Sequence, residues 1–278
     1  MEVVRQPRPA DVPPVLYKYI SWRGQKSHPQ NLLADNAAYF ASAAEFNDPF
    51  DCSIALRYDL SPKTFQAEIA KEYAKKMYPH ARRADRRRLL NINKFVAKFR
   101  KPEYGAAYKE FQEHVYSKIG VFCMSEVNSN ILMWAYYSDS HQGLCLGFDM
   151  DRFWRFCQEL SLKGNDVISP YKVKYVRDYP TLIPNSSNFF DMAMDQLLTK
   201  AIDWEHEREY RILYTGGADV NFALDDDIIS EVIIGCRMND SDQEEIVGFL
   251  SKRANRPILF KAELKGESFG LNIVPVDY

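Results

Sequence analysis

Three observations on the 278-residue chain predict an α+β fold, with a mixed, mainly antiparallel sheet as its core and a basic helical insertion. Short runs rich in aromatic and β-branched residues alternate with helical stripes, but without the regular βαβ period of a doubly wound sheet. A block of three amphipathic helices interrupts the strands at about residues 61–118. The chain has no internal repeat and no obvious linker, so residues 1–278 read as one domain carrying that insertion. At this length roughly three quarters of the unfolded surface can be buried, and a core needs no disulfide or structural metal.

After a proline-rich arm, strands are expected at Val15–Ile20, Ala38–Ala41 and Cys52–Tyr58. Asn47, Asp48 and Pro49 lie in the turn between the last two. Apolar residues four apart (Phe65, Ile69, Tyr73, Met77) mark the first inserted helix, and Leu89–Phe99 and Tyr104–Val115 mark the others. A strand at Val121–Met124, a short helix at Ile131–Tyr137 and a strand at Leu144–Phe148 follow. Asp149 or Asp151 can cap the next helix, Phe153–Leu160. Further strands are expected at Tyr171–Val176, Tyr210–Tyr214, Glu231–Ile234, Ile258–Leu264 and Ile273–Val276. Helices are expected at Phe189–Ile202 and Asp242–Lys252.

Across the chain 36 Lys and Arg face 38 Asp and Glu, a formal charge of −2, which by itself argues against a polyanion-binding protein. The average conceals a division. Between Ser61 and Lys118 stand 15 Lys and Arg against 6 Asp and Glu, a net +9, while the remainder carries −11. Arg82, Arg83, Arg86, Arg87 and Arg88 form the densest basic run. A nucleic acid or another acidic partner is the contact such a run suits, and a solvated helix face is the bland alternative. The five cysteines (Cys52, Cys123, Cys145, Cys157, Cys236) are widely spaced with no CxxC pair, which suggests reduced, cytoplasmic usage. No apolar run reaches the roughly 18 residues a spanning helix needs, and the polar N-terminus is unlike a signal peptide, so no membrane association is expected. Zinc spacing, a Walker loop, GxGxxG and GxSxG are absent.

Three segments could carry chemistry. Trp204–Arg211 reads W-E-H-E-R-E-Y-R; as a strand it would set Glu205, Glu207, Glu209 and Arg211 on one face and Tyr210, Ile212 and Tyr214 on the core. Clustered carboxylates beside a guanidinium are the setting in which a carboxylate is tuned for acid–base or cation-stabilising work, and also that of an ordinary solvated edge. Trp134–Gly143 (W-A-Y-Y-S-D-S-H-Q-G) presents Trp134 and Tyr137 on a short helix and then His141, a general base or a structural turn residue. Glu45–Asp51 offers Asn47, Asp48 and Asp51, which suit either a hard cation or an Asx turn. No metal ligand set is assigned. In the first strand Tyr17 and Tyr19 share a face and Lys18 takes the other.

The pieces L-Y-K-Y (Leu16–Tyr19), Y-F-A-S (Tyr39–Ser42), F-N-D-P-F-D (Phe46–Asp51), F-C-M-S-E (Phe122–Glu126), W-A-Y-Y-S-D-S-H-Q-G-L-C-L-G-F-D (Trp134–Asp149) and W-E-H-E-R-E-Y-R resemble a bacterial family catalogued as domain of unknown function 2971. The resemblance spans most of Leu16–Gly235 and implies no activity. A second resemblance, to the ADP-ribosyltransferase fold, implies one. Such enzymes carry a basic or histidine-containing first strand, an aromatic strand with a small hydroxyl residue, and a late strand with a Q/E-x-E pair. Here Lys18 or Tyr19, Tyr39 with Ser42, and Glu207-x-Glu209 occur in that order. The resemblance implies NAD as the bound nucleotide, with Glu209 supporting positive charge as the glycosidic bond breaks and Glu207 orienting the acceptor. His141 joins them as a candidate catalytic group, and Lys18, Tyr19, Tyr39, Ser42, Trp134, Tyr137 and Arg211 would line the nucleotide. Lys18 stands where His or Arg is usual, and the Tyr39 strand lacks an S-T-S signature.

Two other functions compete with transfer from NAD. A metal-dependent nuclease, or a nucleic-acid-targeting toxin or phage-defence effector, would gather a metal with Asp48, Asp51, Glu207 and Glu209 and grip phosphate with the arginine run. A non-catalytic sensor or adaptor would use the same residues for stability or for binding a small ligand.

Overall fold

The computed structural model describes residues 6–24, 28–89, 106–164, 166–185 and 189–278. Its strands are β1 Val15–Ile20, β2 Ala37–Ser42, β3 Gly120–Ser125, β4 Leu144–Asp149, β5 Ile168–Lys172, β6 Lys174–Val176, β7 Thr199–Ala201, β8 Glu209–Tyr214, β9 Val220–Ala223, β10 Ile229–Ile234, β11 Ile258–Leu264 and β12 Leu271–Pro275. The helices are α1 His28–Asp35, α2 Lys63–Met77, α3 Arg83–Leu89, α4 Ala106–Lys118, α5 Ile131–Tyr137, α6 Met150–Lys163, α7 Phe189–Leu198 and α8 Asp240–Leu250. The fold is α+β, and its sheet is mixed and mainly antiparallel, with β10–β11 the parallel pair of the large sheet.

The chain divides into two compact units. The larger takes in residues up to Glu45, Tyr116–Val173 and Asp203–Tyr278, and it holds the ten-stranded sheet. The smaller takes in Phe46–Val115 and Lys174–Ile202. Most of the expected insertion thus falls in a unit that also includes residues on either side of it in sequence.

In the larger unit, strands run in the order β12-β11-β10-β4-β1-β3, and β3 pairs along its whole length with β8, which pairs in turn with β5. Because β8 fills one edge of β3, β1 and β2 divide the other: β1 meets it at Tyr17–Ser125, and β2 at Ala41–Val121 and Ser42–Gly120. The sheet therefore forks beside Cys123. β2 leaves the fork to pair with β9.

The two-residue period of the strands sorts their side chains onto two buried faces. One carries Leu16, Phe40, Phe122, Met124, Leu146, Phe148, Tyr210 and Ile212 and is covered by α6 and α8 through Phe153, Cys157, Ile246 and Leu250. The other carries Tyr17, Tyr19, Cys145, Ile233 and Phe260 and is covered by α5 through Met133 and Trp134. Asp149 is the residue that caps α6, its carboxylate accepting from the N–H groups of Asp151 and Arg152. Asn130 caps α5 in the same way.

Several elements differ from the sequence reading. Cys52–Tyr58 is not a strand: Cys52 sits at φ 54°, and the buried Ile54, Ala55 and Leu56 form an irregular segment with one bridge, Leu56 to Leu182. The arginine run, expected between helices, enters α3 at Arg83. Beyond Leu89, the helix expected over 89–99 lies outside the described residues, as do the side chains of Arg87 and Arg88. Tyr171–Val176 is split into β5 and β6, and the helix expected through Ile202 stops at Leu198, where β7 begins. All five cysteines are free.

Gly143 is fixed by a close approach. A Cβ there would run into the Ile20 carbonyl oxygen and the Ser138 hydroxyl. Gly143→Ala is expected to cost about 1–3 kcal/mol and lower the melting temperature, since the backbone of β1 has no room to move without disturbing its ladder with β4.

Candidate functional site

Apart from Lys18, Tyr39 and Ser42, the residues singled out in the sequence gather on the α5 side of the sheet. Met124 and Tyr210 face the α6 core, so the register Ser125–Glu209 and Cys123–Arg211 turns Ser125, Cys123, Glu209 and Arg211 to the opposite face. Tyr17, paired with Ser125, shares that face with Tyr19. Glu209 and Arg211 form a two-point ion pair, Nε to Oε1 at 2.9 Å and Nη2 to Oε2 at 3.0 Å. Both are buried, Arg211 completely. A guanidinium matches a carboxylate in such a fork, which offsets part of the cost of removing both charges from water.

Trp204–Arg211 is not one strand. Ile202–Glu207 is a 3-10 helix, Arg208 follows at φ 45°, and only then does β8 begin. The expected single face is therefore corrected: Glu205 is exposed, whereas Glu207 is buried and accepts a hydrogen bond from the Tyr137 hydroxyl at 2.7 Å. Ser125 Oγ donates to the Glu207 carbonyl at 2.6 Å, and Asn130 Nδ2 to the His206 carbonyl at 2.8 Å. These two bonds tie the turn before β8 to the start of α5.

Trp134, Tyr19 and His141 form an aromatic ladder. The Tyr19 and Trp134 rings meet edge to face at 5.4 Å, and the His141 ring lies parallel to Trp134 at 6.3 Å. The Tyr19 hydroxyl donates to the Val127 carbonyl and Trp134 Nε1 to the Asn128 carbonyl, each at 2.8 Å. Asp139, Ser140 and His141 are three successive residues at positive φ, an unusual run for residues with a Cβ. His141 Nδ1 is buried with no hydrogen-bond partner among the described residues. Burial, then the charge of Arg237, holds the imidazole below its ordinary value of 6.5.

Lys18 points to the other face and reaches into the fork. Its amine donates to the Cys123 carbonyl at 3.0 Å, where the β1–β3 ladder has opened, and lies 4.3 Å from the centre of the Phe122 ring. Burial pulls the amine down, while Cys123 and Glu209 oppose that shift. Across the fork, Tyr39 and Ser42 converge on Asp219, a residue the sequence did not single out. The Tyr39 hydroxyl donates to its carboxylate at 2.9 Å and the Ser42 N–H at 2.8 Å, while Ser42 Oγ donates to the Tyr116 carbonyl at 3.1 Å.

The ten candidates thus form an aromatic ladder, an acidic pair of motifs at β8, a lysine in the fork and a Tyr39–Ser42–Asp219 group on β2. Ser125, Asn130 and Asp219 were missed. Serine and asparagine in a strand end and a cap carry no pattern, and Asp219 is brought to β2 only by the left-handed turn it occupies at φ 59°.

In the smaller unit, Asp48 makes an Asx turn, its carboxylate accepting from the Phe50 N–H at 2.9 Å. Asp51 is buried and pairs with the buried Lys200 at 3.5 Å. Among the described residues no group of three or more His, Cys, Asp or Glu side chains could hold a metal ion.

Residues 133–212 match the family model of a protein of unknown function, DUF2971. That segment is similar to the family. The DUF2971 match begins in α5 and ends in β8, so it contains Trp134, Tyr137, His141, Glu207, Glu209 and Arg211. No curated protein and no solved structure matches the chain. Among the described residues no helix is long and apolar enough to cross a membrane.

Two outcomes are expected. Arg211→Met leaves Glu209 buried without its counter-charge and should cost about 3–5 kcal/mol in urea titrations, with part of the loss recovered in Glu209→Gln/Arg211→Met. His141 resists protonation in the folded state and accepts it at the ordinary value when unfolded, so its contribution is complete above that value and declines as pH falls through it. His141→Gln should flatten this part of the stability curve between about pH 7.5 and about pH 5.5.

Proposed function

We propose that the larger unit is an ADP-ribosyltransferase-like enzyme that cleaves NAD or transfers ADP-ribose from it, acting at the fork between β1 and β2. The observation that carries this reading is the fork itself. Two strands divide one edge of β3 between them, and the residues around the division are an amine, aromatic rings, small hydroxyl groups and carboxylates. That is the set of groups that recognises a nucleotide and supports cationic chemistry at a sugar carbon.

In the proposed reaction the bond between the ribose anomeric carbon and the pyridinium nitrogen breaks, and its electron pair neutralises nicotinamide. The sugar cation left behind is taken by water or by an acceptor nucleophile, which loses a proton. Glu209, its charge fixed in position by Arg211, would stabilise the cation. Glu207, held by the Tyr137 hydroxyl, would orient the acceptor. Lys18, Tyr39 and Ser42 would hold the nucleotide. A cytoplasmic setting fits a substrate of this kind, and the Arg82–Arg88 run is proposed to recruit a nucleic acid or another acidic partner.

The test is nicotinamide release from NAD, followed by chromatography. Wild-type protein should release it with water or an added acceptor, and Glu209→Gln should reduce the rate by at least about 100-fold while the far-ultraviolet spectrum and melting transition persist. A folded wild-type protein that releases no nicotinamide with any acceptor contradicts the proposal and favours the non-catalytic reading of the same residues.

A further inference from the structure

Away from the fork, β10 carries a feature that no part of the proposed reaction uses. Its ladder with β4 shifts register between Ile229 and Glu231: Ile229 pairs with Phe148, but Glu231, not Ser230, pairs with Gly147. Ile229 and Val232 both face the α6 core. Without the bulge, alternation from Ile229 would turn Glu231 into that core. The extra residue reverses the parity for the rest of β10, so that Val232 and Ile234 face the α6 core and Glu231 and Ile233 the α5 face.

Gly147 also pairs with Tyr17 on β1, so Tyr17 and Glu231 flank it from the two neighbouring strands. Having no side chain, Gly147 lets them meet above it. A Cβ there would lie 2.9 Å from Glu231 Cβ and 3.1 Å from Tyr17 Cε1. The Tyr17 hydroxyl donates to Glu231 Oε2 at 3.2 Å. The half-buried Glu231 has no cation beside it among the described residues, and its second oxygen has no hydrogen-bond partner there. Burial pushes its carboxyl up even though the Tyr17 hydrogen bond pulls it down. Phe260 and Ile273 pack into the same apolar cluster as Tyr17.

We infer that Glu231 and Tyr17, joined over Gly147, form a binding site for a guanidinium or primary ammonium group on a ligand. A partly desolvated carboxylate with no counter-ion gains most from a group that brings both positive charge and N–H donors. The Tyr17 ring edge and the neighbouring apolar side chains accept the short alkyl stem that such groups carry. A neutral polyol would supply donors without charge and leave the desolvation uncompensated. The site adjoins the fork, where Tyr17 pairs with Ser125, but Glu231 takes no part in the proposed reaction and the site stands or falls without reference to NAD.

Agmatine, which carries both cationic groups, and D-ribose as the neutral control can be titrated into the full chain and followed by calorimetry. Agmatine should bind saturably and ribose should not. Glu231→Gln should weaken agmatine binding by at least about 10-fold, and Tyr17→Phe by about 3-fold, with both melting transitions retained. If Glu231→Gln fails to fold, Tyr17→Phe carries the test alone, a weakened affinity supporting the site and an unchanged one overturning it. Absence of agmatine binding, equal affinity in folded Glu231→Gln, or binding of ribose alone would also overturn it.

Discussion

Strand β3 offers two edges, and β8 occupies one of them from Gly120 to Ser125, so β1 and β2 must divide the other. Neither can run the full length of β3, and the fork follows from that constraint. Opening a ladder exposes backbone groups that must find partners, because a buried, unpaired carbonyl is costly. Lys18 supplies one such partner by donating to the Cys123 carbonyl, which explains a lysine in a strand otherwise occupied by Leu16, Tyr17, Tyr19 and Ile20. On the other limb, Asp219 accepts from the Ser42 N–H and the Tyr39 hydroxyl.

The same strand pair determines where charge is buried. With Tyr210 and Ile212 committed to the α6 core, the alternate positions of β8 must face α5, and two of those are Glu209 and Arg211. Burying them is tolerable because they pair at two points. Replacing such a pair with apolar residues is often neutral or stabilising, so a buried pair is weak evidence for stability as its purpose. The pair lies on the face that Tyr17 and Tyr19 share. Glu231 presents the opposite case, a half-buried carboxylate whose partner is a phenol rather than a cation.

Much of the fold was legible because the signals were local. The helix Ile131–Tyr137 and the strand Ile258–Leu264 have the predicted bounds, and of the two expected capping candidates, Asp149 and Asp151, Asp149 caps α6. Failures occurred where one backbone angle changed the outcome. Glu205, Glu207 and Glu209 alternate as a strand would, but Arg208 at φ 45° separates a 3-10 turn from β8. Cys52–Tyr58 is apolar enough for a strand, but Cys52 adopts a left-handed conformation and the segment is buried as irregular chain. The bulge before Glu231 has no signature in the sequence, so the meeting of Tyr17 and Glu231 over Gly147 could not be read there. The face shared by Tyr17, Tyr19 and Glu209 depends on the pairing of β1, β3 and β8, a long-range fact that periodicity alone does not contain.

Everything proposed for the fork requires that a nucleotide enter between β1 and β2. Hydrogen exchange of the full chain, read by mass spectrometry with and without NAD, addresses that directly. The account predicts added protection in peptides covering Tyr17–Tyr19, Tyr39–Ser42 and Glu209–Arg211. Unchanged exchange in all three, or protection confined to peptides elsewhere in the chain, would contradict it.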